Sequence, residues 1–140
     1  MRFWDSSALI PLLVREKESS AMRSILRSDR QIAASVITPI EIESALWRRR
    51  HHDEMGVEEH LSAEEMFAQL TASWSEIADI LSAQRIALDL LSRHALRAGD
   101  AIQLATAIVA SNATVASLQF VTLDHDLAAA ARAEGFTVLP

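Results

Sequence analysis

The sequence predicts an α/β fold, a central parallel β-sheet with helices on both faces. Three observations carry this. Short apolar, β-rich runs alternate with helical patterns along the 140 residues. Most of these runs are separated by far more residues than a hairpin needs, so helical crossovers must join neighbouring strands. Acidic residues follow strand runs directly and open helices, as in Trp4-Asp5-Ser6-Ser7 and Thr122-Leu123-Asp124. No repeat, linker or low-complexity segment interrupts the chain, so residues 1–140 read as one domain.

Met1–Trp4 is short, apolar and aromatic, and reads as a strand that Asp5 ends. Ala8-Leu9-Ile10 begins a helical pattern, with Pro11 expected in its first turns, where a missing N–H is tolerable. A second helix is expected over residues 19–28, with Met22, Ile25 and Leu26 on one face, and a short buried strand over 32–36. Thr38-Pro39 marks the next helix start, Thr38 as cap and Pro39 as first residue, with Glu41 in the first turn. Gly56 breaks the pattern before a helix over about 62–73, in which Met66, Phe67 and Leu70 recur at helical spacing.

Residues 76–80 form a weaker strand candidate, followed by a helix over 83–95 with Ile86, Leu90 and Leu91 inward. The stretch 99–110 is apolar almost all round, as a buried helix is, and only Asp100, Gln103 and Thr106 interrupt it. Asp100 stands at its front edge, where a carboxylate can cap free N–H groups. A strand over 118–123, an Ala-rich helix over 127–134, Gly135 as its C-terminal cap and a strand over 136–139 complete the chain.

Composition narrows the function. There is no cysteine, which excludes disulfides, thiolate metal sites and a cysteine nucleophile, and suits a cytoplasmic protein. No apolar run is long enough to cross a membrane, and the first residues lack the pattern of a signal peptide. The net charge of −6 disfavours a nucleic-acid partner, but it is uneven. Nine Lys/Arg against six Asp/Glu give residues 1–50 a balance of +3, and four against thirteen give residues 51–140 a balance of −9. A polyanion would meet the first third, notably Arg48-Arg49-Arg50 with His51 and His52; the same run also suits a solvated helix end.

In an open parallel sheet all strand C-termini share one edge, where sites form. Asp5 and Asp124 reach that edge by topology, and Glu41 follows the second strand closely enough to join them. Asp100 follows a helix, and pattern alone does not place it. Each acid is explained singly as a helix-start residue. Together, with no basic residue expected between them, they would repel one another and take up protons unless a cation intervened. All-oxygen ligation suits Mg²⁺ or Mn²⁺, and Mg²⁺ takes one or two direct carboxylates and keeps several waters. Such a cation activates water and stabilises charge on a phosphodiester, and a free carboxylate can orient or deprotonate the attacking water. Ser7 and Thr122 lie within two residues of Asp5 and Asp124, where their hydroxyls can hold ligand carboxylates; turn and strand-end duty explains them equally simply.

Four blocks carry a resemblance: Phe3-Trp4-Asp5-Ser6-Ser7-Ala8-Leu9, Thr38-Pro39-Ile40-Glu41-Ile42-Glu43-Ser44-Ala45-Leu46, the run from Leu96 to Ala107 around Gly99-Asp100, and the run from Phe120 to Ala131 around Asp124. In order and spacing they resemble the PIN-domain family, and most closely the VapC-type ribonuclease toxins of bacterial toxin–antitoxin pairs. The resemblance implies a single PIN-like domain and a Mg²⁺- or Mn²⁺-dependent endoribonuclease acting on RNA. It carries one acidic pocket to Asp5, Glu41, Asp100 and Asp124, with Asp5, Asp100 and Asp124 as metal ligands, and it supplies the placement of Asp100. It also implies a cognate antitoxin, for whose tail the acidic face of residues 51–79 is one candidate. A homodimer is expected, and Trp47, Phe67 and Trp74 are candidates for its surface as well as for packing.

Asp126 and His125 are expected at the periphery of the pocket, and Glu43 on another side of its helix. Two other classes compete. A PIN-like binding or assembly module with little catalysis suits the net charge of −6. A phosphoacceptor domain needs a lysine at the pocket, and Lys17, the sole lysine, lies after the first helix.

Overall fold

The computed structural model describes residues 1–112 and 114–140. Strand β1 (Arg2–Trp4) leads through α1 (Ser6–Leu13) and α2 (Ser19–Ser28) to β2 (Ile32–Ser35). Helices α3 (Thr38–His51) and α4 (Val57–Thr71) lead on to β3 (Ser75–Ile77). Helices α5 (Ile80–Arg93) and α6 (Ala98–Ala110) then carry the chain back to β4 (Gln119–Val121), and α7 (His125–Ala133) precedes β5 (Thr137–Leu139). All strand pairs are parallel, in the order β3-β2-β1-β4-β5, so the expected α/β class holds.

The strands are three or four residues long, and β1, β2, β4 and β5 alternate between two cores. Phe3, Ala33 and Phe120 face α5, α6 and α7, where Leu90, Leu104 and Leu127 are fully buried. Trp4, Ala34 and Val121 face the other way, against Leu9, Met22, Ile42 and Leu46 of α1, α2 and α3. Phe3 and Phe120 are directly paired across β1 and β4, and their rings stack at 5.3 Å. With both faces covered, the central strands β2, β1 and β4 have no solvent side, which is why they read as apolar runs, while the edge strand β3 is largely exposed.

This order puts β1 at the centre, with connections leaving to both sides of it. β2 and β3 are added on one side, and α5–α6 cross back so that β4 and β5 are added on the other. Such a reversal opens a crevice at the strand C-termini.

Several local expectations shift. Ile86 and Leu90 pack inward from α5 as expected, but Leu91 is 41% exposed, and Ala83 and Ala87 complete the inward face. Pro11 lies well inside the short helix α1 and is buried. Thr38 opens α3 but does not cap it; Ile37 holds the cap position, and the Thr38 side chain turns inward. A short 3₁₀ turn at Val115–Ser117 precedes β4. Gly135 adopts φ 95°, as a left-handed helix terminator requires.

Candidate active site

The crevice at the strand C-termini has a volume of about 500 Å³. Glu41, Asp100 and Asp124 line it with Ser7, Arg48 and Arg97. Asp5 lies buried at the end of β1, close enough to Glu41 and Asp100 for their charges to act on one another. All four predicted acids therefore gather in one place. They come from the ends of β1 and β4 and from the first turns of α3 and α6.

Asp5 is both an N-cap and the centre of a hydroxyl cluster. Its Oδ2 accepts from the Ser7 backbone N–H at 3.1 Å, the Ser7 hydroxyl at 2.5 Å and the Thr122 hydroxyl at 3.0 Å. Its Oδ1 keeps a single long contact, to the Ser6 hydroxyl at 3.5 Å. Ser7 and Thr122 thus both serve the carboxylate and also hold the next turn. Ser7 Oγ accepts from the Leu123 N–H at 3.0 Å, and Thr122 Oγ1 accepts from the Asp124 N–H at 3.1 Å. Burial pushes the Asp5 carboxyl up; the hydroxyls oppose this and Glu41 adds to it, and the net direction is up.

Asp124 caps α7, its Oδ1 accepting from the Leu127 N–H at 2.8 Å. Asp100 is not the N-cap. Arg97 holds that position of α6, and Asp100 lies in the first turn, where the helix dipole still favours a carboxylate. Its side chain lines the crevice. Burial, then Asp124, then Asp5 push the Asp100 carboxyl up; the Arg97 backbone N–H and the Arg97 charge oppose this, and the net direction is up.

Glu41 is held from below by Gln103, whose Nε2 donates to Glu41 Oε2 at 2.5 Å and to Thr38 Oγ1 at 3.0 Å. A Cβ on Gly99 would stand 2.9 Å from Glu41 Oε1, so the glycine leaves room for this carboxylate. Sequence reasoning noted Gln103 as an interruption of an apolar helix and gave it no role. The available signal was its chemistry, because a fully buried amide needs partners. Arg97 went unnoticed as well, and Arg48 was read only as part of a basic run that suits a polyanion or a solvated helix end. Arg97 reaches the crevice from three residues before Asp100, and Arg48 from two turns along α3. His125 and Asp126 are exposed and do not line the crevice. Glu43 lines a separate groove with Ile40 and Trp47.

Among the described residues, no three Asp, Glu or His side chains stand close enough together to chelate an ion directly. The donor set is nonetheless all oxygen; Asp5 is pushed up in part by Glu41, and Asp100 in part by Asp124 and Asp5. These residues suit a hydrated divalent cation held by one or two direct carboxylates rather than a dehydrated cage.

A five-stranded parallel sheet whose strand ends gather four acids in one crevice places the molecule among α/β proteins with an acidic pocket at the topological switch point. The chain belongs to the PIN domain family, whose model matches residues 2–133. It is similar in fold to a toxin–antitoxin complex from Klebsiella pneumoniae, with TM-score 0.67 and 20% identity, covering 100% of this chain and 97% of that one. It is similar also to a VapC sarcin–ricin loop cleaving toxin from Mycobacterium tuberculosis, with TM-score 0.70 and 19% identity over 100% of both chains. FitAcB from Neisseria gonorrhoeae matches with TM-score 0.68 and 16% identity, over 100% of this chain and 97% of that one. No curated protein sequence matches the chain.

Proposed function

We propose that this protein is a Mg²⁺- or Mn²⁺-dependent endoribonuclease, the toxin half of a toxin–antitoxin pair. The observation that carries the proposal is the gathering of Asp5, Glu41, Asp100 and Asp124 around one crevice in a PIN domain. Two similar folds, a toxin–antitoxin complex and an RNA-loop-cleaving toxin, support it.

In this scheme Asp5, through the Oδ1 that only the long Ser6 contact touches among the described residues, and Asp100 are the direct ligands. Asp124 completes the set, directly or through water. A cation bound there would lower the pKa of water and neutralise charge on the cleaved phosphodiester. Glu41, held by Gln103, orients the attacking water and accepts its proton. Ser7 and Thr122 fix the Asp5 carboxylate against rotation. An antitoxin is the proposed protein partner, and a homodimer the proposed assembly; exposed Leu81, Leu88 and Leu91 give α5 an apolar surface.

Cleavage of labelled RNA in Mg²⁺ by the parent, Asp5→Asn and Asp100→Asn tests the mechanism. Loss of cleavage in both variants with retained folding supports it, and undiminished cleavage in both overturns it. The net charge of −6 favours one second reading, a PIN domain that binds without cleaving. Calorimetric titration separates the two, because a protein with no measurable affinity for Mn²⁺ is the module rather than the enzyme.

A further inference from the structure

Four carboxylates in a protein of net charge −6 account for a cation, but they repel the chain of phosphates that the proposed reaction requires. Two arginines offset this. Arg48, on α3, and Arg97, at the start of α6, line the same crevice from two different elements. Both are exposed.

Four of the other arginines are held by partners, two of them beside Arg48 in the sequence. Within the Arg48–Arg50 run, Arg49 is paired with Glu16, and Arg50 donates to the Met55 carbonyl at 2.8 Å. Arg93 is held by Asp89 and Glu134. Arg2 bonds Gln119 at 2.7 Å and Ser28 at 2.9 Å. Among the described residues, Arg48 and Arg97 make no ion pair and no side-chain hydrogen bond, although they share a crevice with carboxylates. Their guanidinium forks are left for a ligand, and the fork matches a phosphate in two parallel N–H···O bonds.

We propose that Arg48 and Arg97 form a phosphate-binding pair that holds single-stranded RNA across the crevice, one phosphate on each side of the bond over the acids. This rests on the endoribonuclease proposed above. Proteins read RNA sequence mostly in unpaired loops, bulges and ends, so the strand placed in the crevice is a single one. Ser6 and Ser44 also line the crevice and present hydroxyls to the same backbone.

The test is binding of a fluorescent single-stranded oligoribonucleotide over a range of salt concentrations. It uses the Asp100→Asn protein, in which cleavage is blocked and one like charge is removed. Arg48→Ala and Arg97→Ala are each expected to weaken binding several-fold. Each should also flatten the slope of log K against log salt by about 0.7, the counterion release of one phosphate contact on a single strand. Lysine at either position should restore the slope but not the full affinity, and Arg23→Ala, an exposed arginine on α2, should change neither. In the otherwise unaltered enzyme, the alanine variants should raise KM and leave kcat within about twofold. An unchanged slope in both variants, an equal loss in Arg23→Ala, or no binding by the Asp100→Asn protein overturns the proposal. Arginine-dependent binding without cleavage by the parent removes the nuclease reading and keeps the phosphate pair. Cleavage with KM unchanged in both alanine variants does the reverse.

Discussion

Gln103 and Glu41 are joined by a 2.5 Å hydrogen bond across 62 positions of sequence. The bond ties the first turn of α3 to α6, and the same amide holds Thr38. Asp100 precedes Gln103 by three residues and Glu41 follows Thr38 by three, so each acid shares a helix face with its anchor. Two walls of the acidic crevice are thus registered against each other by one fully buried side chain.

Gln103→Leu keeps the volume and removes the amide. It leaves the Thr38 hydroxyl and Glu41 without their partner, and the expected loss is about 1–3 kcal/mol of stability. Denaturant midpoints measure this. RNA cleavage should fall by more than any loss of folded protein explains, because Glu41 is no longer held.

Gly99→Ala separates stability from activity. Alanine is worth roughly 0.5–1 kcal/mol over glycine in a helix interior and less in the first turn of α6, where Gly99 stands. The new Cβ would crowd Glu41 Oε1 at 2.9 Å, and moving that carboxylate strains its bond from Gln103. The two effects offset each other in thermal stability while cleavage drops several-fold, and undiminished cleavage would contradict this account.

Mn²⁺ should raise the melting temperature of the parent in proportion to the logarithm of its concentration, as a ligand of the folded state does. Asp100→Asn should abolish that rise. Without metal the same variant should be more stable than the parent at neutral pH, because burial, Asp124 and Asp5 all disfavour the Asp100 charge. A calorimetric scan with and without metal reads both effects.

Glu134 gives the acid limb of the stability profile. Burial pushes its carboxyl up, but hydrogen bonds from His94 and Arg93 outweigh burial, and the net direction is below the ordinary 4.5. A group lowered on folding stabilises the protein above its unfolded pKa, and that contribution disappears as the pH falls through the folded value. Glu134→Gln should therefore destabilise at pH 7 and lose its effect as the pH drops below 4.5, which urea unfolding at several pH values would show.

The sequence by itself determined the alternation of strands and helices, because apolar runs buried on both faces and helical periodicity are local patterns. It placed Asp5 and Asp124 for the same reason, since each caps the helix that directly follows its strand. It did not place Asp100 except through family likeness, because that acid follows a helix and its position depends on how α6 crosses the sheet. Nor did it give Gln103, Gly99 or Arg97 a role, or bring Arg48 to the crevice. Their significance lies in pairs far apart in the chain, such as Gln103 with Glu41, or in which arginines find a partner and which do not. Local pattern decides where a helix begins and which face is apolar. Only the packing of α3 and α6 over β1 and β2 decides which side chains those helices bring together.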